Sequence, residues 1–278
     1  MSTSINLLGG AGSRGAGSTG TGAPGAGAPR DLRDPEVSPA GPKTTEPLAE
    51  DTARRNADLV DEWADRLHDE TAGNILDWAR EHAPGQVAVT LSMENTVLAE
   101  LAARHLPDAD LLFLDTGYHF PETLDVAGEV DARYPQRLVT ALPLLSRAEQ
   151  DEAYGRDLYR ANPTACCRMR KVEPLAVNLS PYAGWVTGLR RADGPTRAQA
   201  PALSLDATGR LKISPIITWS LAETEAYITD HDLIRHPLTT QGYPSIGCAT
   251  CTLPVAEGDD PRAGRWAGNA KTECGLHS

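Results

Sequence analysis

The sequence predicts an α/β fold built on a doubly wound, mostly parallel sheet. Short apolar runs of strand type alternate with segments of helical period. The runs are three to seven residues long, and turn or helix-opening residues punctuate them: Pro84-Gly85, Asp115-Thr116-Gly117 and Pro121.

The elements follow in order. From about Thr45 the pattern is helical, with Leu59, Val60, Trp63 and Leu67 recurring at three- and four-residue steps. A second helix is predicted over Thr71 to His82, with Ile75, Leu76 and Trp78 inward. Val87 to Leu91 reads as the first strand. The loop Ser92-Met93-Glu94-Asn95 follows, then a helix through Leu98, Leu101 and Ala102. Leu111 to Leu114 is the second strand, Pro121 opens another helix, and a third strand lies near Leu138-Val139-Thr140. Trp185-Val186-Thr187 reads as a strand leading to Gly188-Leu189-Arg190-Arg191. Leu211 to Ile217 reads as a further strand. Ser220 begins a helix, with Glu223 completing a capping-box pattern. Beyond Gln241 the chain is rich in Gly, Pro and Cys and reads as loops held by a ligand or metal.

Residues 1–45 form a separate regime. Ten of the 25 glycines and five prolines fall there, with almost no periodic apolar pattern. Such a segment cannot bury enough surface to offset the entropy of ordering it, and is expected to be a disordered leader. It lacks the basic start and long apolar stretch of a secretory signal. Residues 46–278 are expected to form one α/β domain, ending in a mobile tail.

Composition narrows the function. The 278-residue chain has 26 basic and 38 acidic residues, a net charge of −12. That opposes a general nucleic-acid surface, which needs a basic field, but allows a local basic pocket. No run of about 18 apolar residues exists, so no membrane span is expected. Nothing indicates export, and the expected compartment is the cytoplasm.

The five cysteines are Cys166, Cys167, Cys248, Cys251 and Cys274. Stable disulfides are disfavoured in a reducing compartment. A structural zinc site would use the C-x-x-C half, but adjacent Cys166 and Cys167 diverge and are awkward for one small tetrahedral ion. A cubane iron–sulfur cluster presents four separate corners, which diverging neighbours and a C-x-x-C turn can serve. The count favours the cluster and leaves Cys274 over. Beside such a site Cys274 reads as a thiolate nucleophile; the plain alternative is a fortuitous cysteine.

Four stretches carry a family resemblance: Cys166 to Leu175, Gly242 to Thr252, Arg262-Ala263-Gly264-Arg265-Trp266, and Lys271-Thr272-Glu273-Cys274-Gly275-Leu276-His277. They closely resemble the assimilatory adenylyl-sulfate reductases of the phosphoadenylyl-sulfate reductase superfamily. The resemblance spans roughly residues 50 to 278. It implies a pyrophosphatase-like nucleotide-binding fold, one [4Fe–4S] cluster on Cys166, Cys167, Cys248 and Cys251, Cys274 as catalytic thiol, and thioredoxin as reductant. It points to Lys171, Arg262 and Arg265 as substrate cations, then to Arg190 and Arg191. It also places Asp115, Thr116 and Gly117 near the nucleotide.

Ser92 opens the loop at the carboxyl end of the first strand, where open α/β sheets bind ligands. That loop lacks the Gly-rich form of ATP-cleaving relatives. Thr250 and Leu253 stand where Pro and Arg are expected. Adenylyl sulfate brings phosphate and sulfate oxygens, which suit arginine's planar fork. The expected reaction is attack by Cys274 on the sulfate sulfur, with AMP leaving, and then release of sulfite by thioredoxin. The alternatives are a reductase of the 3′-phosphorylated nucleotide, a cluster-bearing thiolation enzyme of the same fold, and a non-catalytic metal-binding module.

Overall fold

The structure is a computed structural model that describes residues 47–256, 258–266, 271, 275 and 276. The expected leader and Cys274 both lie outside the described residues.

Two helices open the described chain, α1 (Glu50–Trp63) and α2 (Ala72–His82). The Thr71 hydroxyl accepts from the Asn74 amide and caps α2. Alternation then begins: β1 (Val87–Leu91), α3 (Val97–His105), β2 (Asp110–Leu114), α4 (Pro121–Arg133) and β3 (Leu138–Ala141). The next stretch is helical: α5 (Arg147–Tyr154), α6 (Leu158–Ala161), α7 (Pro163–Cys167), one π-helical turn at Arg168–Val172, and α8 (Glu173–Asn178). The remaining elements are β4 (Gly184–Val186), β5 (Leu203–Leu205), β6 (Leu211–Ile213) and α9 (Leu221–Asp230).

The strands form one sheet in the order β3-β2-β1-β4-β6-β5, parallel except for β5 against β6. Strand side chains alternate between two cores. Val87, Val89, Leu91, Leu111, Phe113 and Val186 join the larger core with residues of α2, α3, α4 and α9. Ala88, Leu112 and Trp185 face the smaller core, with Leu175 of α8 and with Leu179 and Tyr182 just beyond it. Both faces are covered, which is why the strands read as continuous apolar runs.

Three expectations shift. The final parallel strand ends at Ile213 rather than Ile217, because residues 214–217 turn: Ser214 bonds the Ala202 carbonyl and Ile217 bonds Ser214. The strand expected at Trp185–Thr187 lies one residue earlier. The antiparallel β5 and the helices α5 to α8 were not anticipated. Their short or polar segments carry little periodic signal. The capping box at Ser220 and Glu223 forms as expected, with bonds in both directions.

The chain leaves β1 towards β2 and reaches β4 on the other side. Loops after β1 and β4 therefore diverge, opening a crevice at the carboxyl ends of the strands.

Candidate active site

That crevice is a cleft of about 270 Å³. Its floor is strand-end residues, among them Thr90, Leu91, Thr116, Thr187 and Gly188. Lys171, Arg190, Arg197, Arg262 and Arg265 line it, against the carboxylates of Glu94, Asp193 and Asp260. An acidic chain thus builds a local surplus of cations where an anion would sit.

The loop after β1 turns without glycine. Met93 takes the left-handed conformation (φ 61°) with its side chain fully buried. Core packing of the thioether chain offsets the backbone strain, which typically costs about 1–2 kcal/mol. Ser92 lines the cleft, and its hydroxyl accepts from the Glu94 amide at 3.4 Å.

At the end of β2, the Asp115 carboxylate accepts from the Gly117 amide at 2.8 Å, and Gly117 has φ 72°. Asp115 and Gly117 shape this turn and are not among the cleft's lining residues; Thr116 is. The Thr116 hydroxyl accepts from the Tyr118 amide at 3.2 Å and lies 3.3 Å from the Cys248 sulfur. His119 donates from Nε2 to the Leu114 carbonyl, which accepts at 2.9 Å. Burial, aided by Lys171, holds this imidazole below its ordinary pKa and so neutral.

A second, smaller cavity abuts the cleft. Cys166, Cys167, Cys248 and Cys251 all border it, with Tyr118, Tyr159, Lys171, Arg265 and Trp266. Cys166 and Cys167 end α7 and are buried. Asn162 caps α7, accepting from the Ala165 amide at 3.0 Å. Cys248 and Cys251 flank one 3₁₀ turn, closed by the Cys251 amide on the Cys248 carbonyl. None of the four is in a disulfide.

Burial, then the neighbouring Cys167, Cys248 and Cys251, push the Cys166 thiol up to about 12. Burial also raises Cys251, while Lys171 and Arg265 oppose the rise. Four thiols around one cavity, two of them buried, disfavour four bare thiolates and suit a cationic iron centre that takes one sulfur per corner. Among the described residues, no three or more His, Cys, Asp or Glu side chains are grouped as ligands of a single metal ion.

The π-helical turn directly follows Cys167. It carries Lys171 into the cleft and buries Arg170. Such turns recur at functional sites because the extra residue re-aims side chains. Arg170 donates to Gln150 Oε1 at 2.8 Å and to the Thr116 carbonyl at 2.9 Å, and its guanidinium lies 4.9 Å from the Tyr118 ring centre. Arg170 therefore braces the wall between the cavities. Arg168 pairs with Glu173 at the surface.

The expected cations divide. Lys171, Arg262 and Arg265 all line the cleft, and Lys171 and Arg265 also border the cysteine cavity. Arg190 also lines the cleft, where it is held by Asp193 at 2.7 Å and by the Thr224 hydroxyl at 2.8 Å. Arg191 does not enter the cleft. It donates to Asp69, to the His68 carbonyl and to the Ala200 carbonyl, on the α1–α2 side. Arg190 and Arg191 both follow β4 in the loop beyond it and are taken by different acceptors, so adjacency could not assign both to one site. Arg197 lines the cleft and bonds Asp193 at 3.2 Å.

Residues 86–254 match the phosphoadenosine phosphosulfate reductase domain. An adenosine 5′-phosphosulfate reductase of Streptomyces coelicolor is 50% identical over 212 residues, covering 76% of this chain and 90% of that protein. A relative of the same name from Mycobacterium tuberculosis is 44% identical over 247 residues, covering 85% and 97%. The chain belongs to the phosphoadenosine phosphosulfate reductase family. A crystal structure of phosphoadenylyl-sulfate reductase from Candida auris, in a phosphate complex, matches the fold with a TM-score of 0.58 at 26% identity. The match covers 76% of this chain and all of that one.

Within this reductase, the two departures from the family pattern are both exposed. Leu253 is 56% exposed, and the Thr250 hydroxyl lies 3.7 Å from the Cys251 sulfur. Thr250 lines the four-thiol cavity, and Leu253 does not. The residues that sequence reasoning missed are Asp193, which pairs locally with Arg190 and Arg197, and Glu94 and Ser245, which meet across 151 residues of chain. No local signal marks Glu94 or Ser245. Among the described residues, no helix is long and apolar enough to cross a membrane.

Proposed function

We propose that this chain reduces adenylyl sulfate to sulfite and AMP, with thioredoxin as electron donor, in the cytoplasm. One observation carries the reading: Lys171, Arg265 and Trp266 border both the nucleotide-sized cleft and the four-thiol cavity. The reductase names of the relatives support it.

Lys171, Arg262 and Arg265 bind the phosphate and sulfate oxygens through charge-assisted hydrogen bonds. The apolar floor near Leu98 and Ile216 takes the base. Cys274 supplies the nucleophile as its thiolate. Its sulfur bonds the sulfate sulfur, the bond from that sulfur to the bridging oxygen breaks, and AMP leaves with the electron pair. A thioredoxin thiolate then attacks the Cys274 sulfur. Sulfite departs with the pair from the sulfur–sulfur bond, and the second thioredoxin thiol resolves the mixed disulfide. Thioredoxin is oxidised by two electrons and sulfate is reduced to sulfite.

Cys166, Cys167, Cys248 and Cys251 would hold one [4Fe–4S] cluster, which would supply order and a fixed local charge behind Lys171. This chain's residues do the binding and the covalent chemistry. The second reading takes the 3′-phosphorylated nucleotide as substrate, which the Candida auris likeness favours.

The test is anaerobic purification followed by sulfite assay with each nucleotide and thioredoxin. About four iron and four sulfide per chain are expected, with sulfite from adenylyl sulfate. Without thioredoxin, adenylyl sulfate should add one sulfite-sized mass to the peptide that contains Cys274. The Cys274→Ser variant should keep its iron and its nucleotide affinity but form no sulfite. A label on another cysteine, or sulfite only from the 3′-phosphorylated nucleotide, overturns the corresponding part of the reading.

A further inference from the structure

A carboxylate is out of place in a cleft that takes an anion unless its charge is engaged. Glu94 lines the cleft from the loop after β1. Its Oε2 accepts from the Ile246 amide at 2.9 Å and from the Ser245 hydroxyl at 3.4 Å. Arg265 grips the same two residues from the other side. Its Nη1 donates to Ser245 Oγ at 3.1 Å and to the Ile246 carbonyl at 3.2 Å. The Ser245 hydroxyl therefore receives from the guanidinium and gives to the carboxylate, which joins the two charges through one oxygen atom.

The rest of the setting holds Arg265 in one pose. A Cβ on Gly247 would collide with the guanidinium, so glycine lets the arginine cross the main chain there. The guanidinium lies 4.8 Å from the Trp266 ring centre. Backbone pairing of Thr252 with Arg265, and of the Trp266 amide with the Cys251 carbonyl, ties the arginine's own backbone to the cysteine turn. The Arg265 end of the cleft is thus fastened to the cysteines through the backbone and to β1 through Glu94.

We propose that Glu94 is a positioning residue for Arg265: through Ser245 and Ile246 it holds the guanidinium where the anionic end of the nucleotide docks. This rests on the nucleotide reading given above. In this reading Glu94 takes no part in the covalent chemistry. It acts by fixing a polarised chain, carboxylate to hydroxyl to guanidinium, so that binding an anion needs no rearrangement of the loop.

The experiment is a double-variant cycle read as adenylyl sulfate affinity. Anaerobically purified, iron-loaded protein carrying Cys274→Ser is titrated by calorimetry, so that no turnover occurs. Arg265→Ala and Glu94→Ala are each expected to weaken binding by roughly tenfold or more. The combination should be no weaker than Arg265→Ala alone, within about twofold, because Glu94 acts through the arginine. Glu94→Gln keeps an acceptor for Ile246 without the charge. Its loss should be intermediate and should also vanish in the Arg265→Ala background, so it completes the cycle if the alanine variant does not fold. Losses that multiply, or wild-type affinity in both Glu94 variants, overturn the inference while leaving the nucleotide reading intact. Unchanged affinity in Arg265→Ala would remove the basic-pocket reading itself, and this inference with it.

Discussion

The Thr116 hydroxyl lies 3.3 Å from the Cys248 sulfur. The same oxygen accepts from the Tyr118 amide, so its proton is free to point at the sulfur. The end of β2 is thereby joined to the cysteine loop, a link the Ala249 amide repeats by donating to the Tyr118 carbonyl at 2.7 Å.

Thr116→Val keeps the side-chain shape and removes the hydroxyl. It strands a buried Tyr118 amide, which costs about 1–3 kcal/mol. The urea midpoint should fall, and iron should pass to a chelator faster than from the parent enzyme under anaerobic conditions. Unchanged iron release would show that the sulfur contact does nothing.

Lys171 and Arg191 should separate cleanly, although both are basic and both were expected at the substrate. Lys171 lines both cavities, whereas Arg191 bonds the α1–α2 region. Lys171→Ala should lower nucleotide affinity roughly ten- to hundredfold, the loss of a charge-assisted contact. Arg191→Ala should bind nucleotide within about twofold of wild type and lose stability instead. Calorimetric titration of each variant, paired with thermal melting, distinguishes the two outcomes.

Met93 offers an inverted order of stabilities. Truncating a buried Met typically costs about 2–5 kcal/mol. At an ordinary φ, glycine would then be worse than alanine. At φ 61° the order should reverse, because alanine keeps the Cβ strain that glycine lacks. Met93→Gly is expected to be about 1 kcal/mol more stable than Met93→Ala in chemical denaturation. Equal or reversed midpoints would show that this backbone position carries no strain.

Asp110 supplies a pH dependence. Arg137 bonds its carboxylate through two nitrogens, and the Tyr182 hydroxyl donates to it at 2.6 Å. The Arg137 bond is the first cause that holds its pKa below the ordinary value. A carboxyl depressed in the folded state stabilises above its unfolded pKa, and that stability is lost as pH falls through the folded value. Asp110→Asn should therefore be clearly less stable than wild type near neutral pH, and the gap should narrow towards about pH 3. A gap independent of pH would mean that the charge on Asp110 contributes nothing.

Much of the fold was legible in the residues. Val87–Leu91 forms the predicted strand to the residue, because a run buried on both faces is apolar throughout. The capping box at Ser220 was equally local, since the four residues Ser220 to Glu223 contain the whole signal. Strand β5 was not legible. It has three residues and pairs only with β6, so its identity lies in a partner rather than in its own pattern.

The candidate site divides the same way. The sequence alone determined the cysteine pairs, the parallel sheet and the crevice at its strand ends, because these follow from spacing and from the period of buried residues. Only the tertiary structure decided which cations face the cleft. Arg190 and Arg191 are neighbours, yet Asp193 and Thr224 take one while Asp69 and the His68 carbonyl take the other. An arginine side chain is long enough to reach either direction. The acceptors that choose for it lie up to 123 residues away in the chain, and only folding brings them within a hydrogen bond's length.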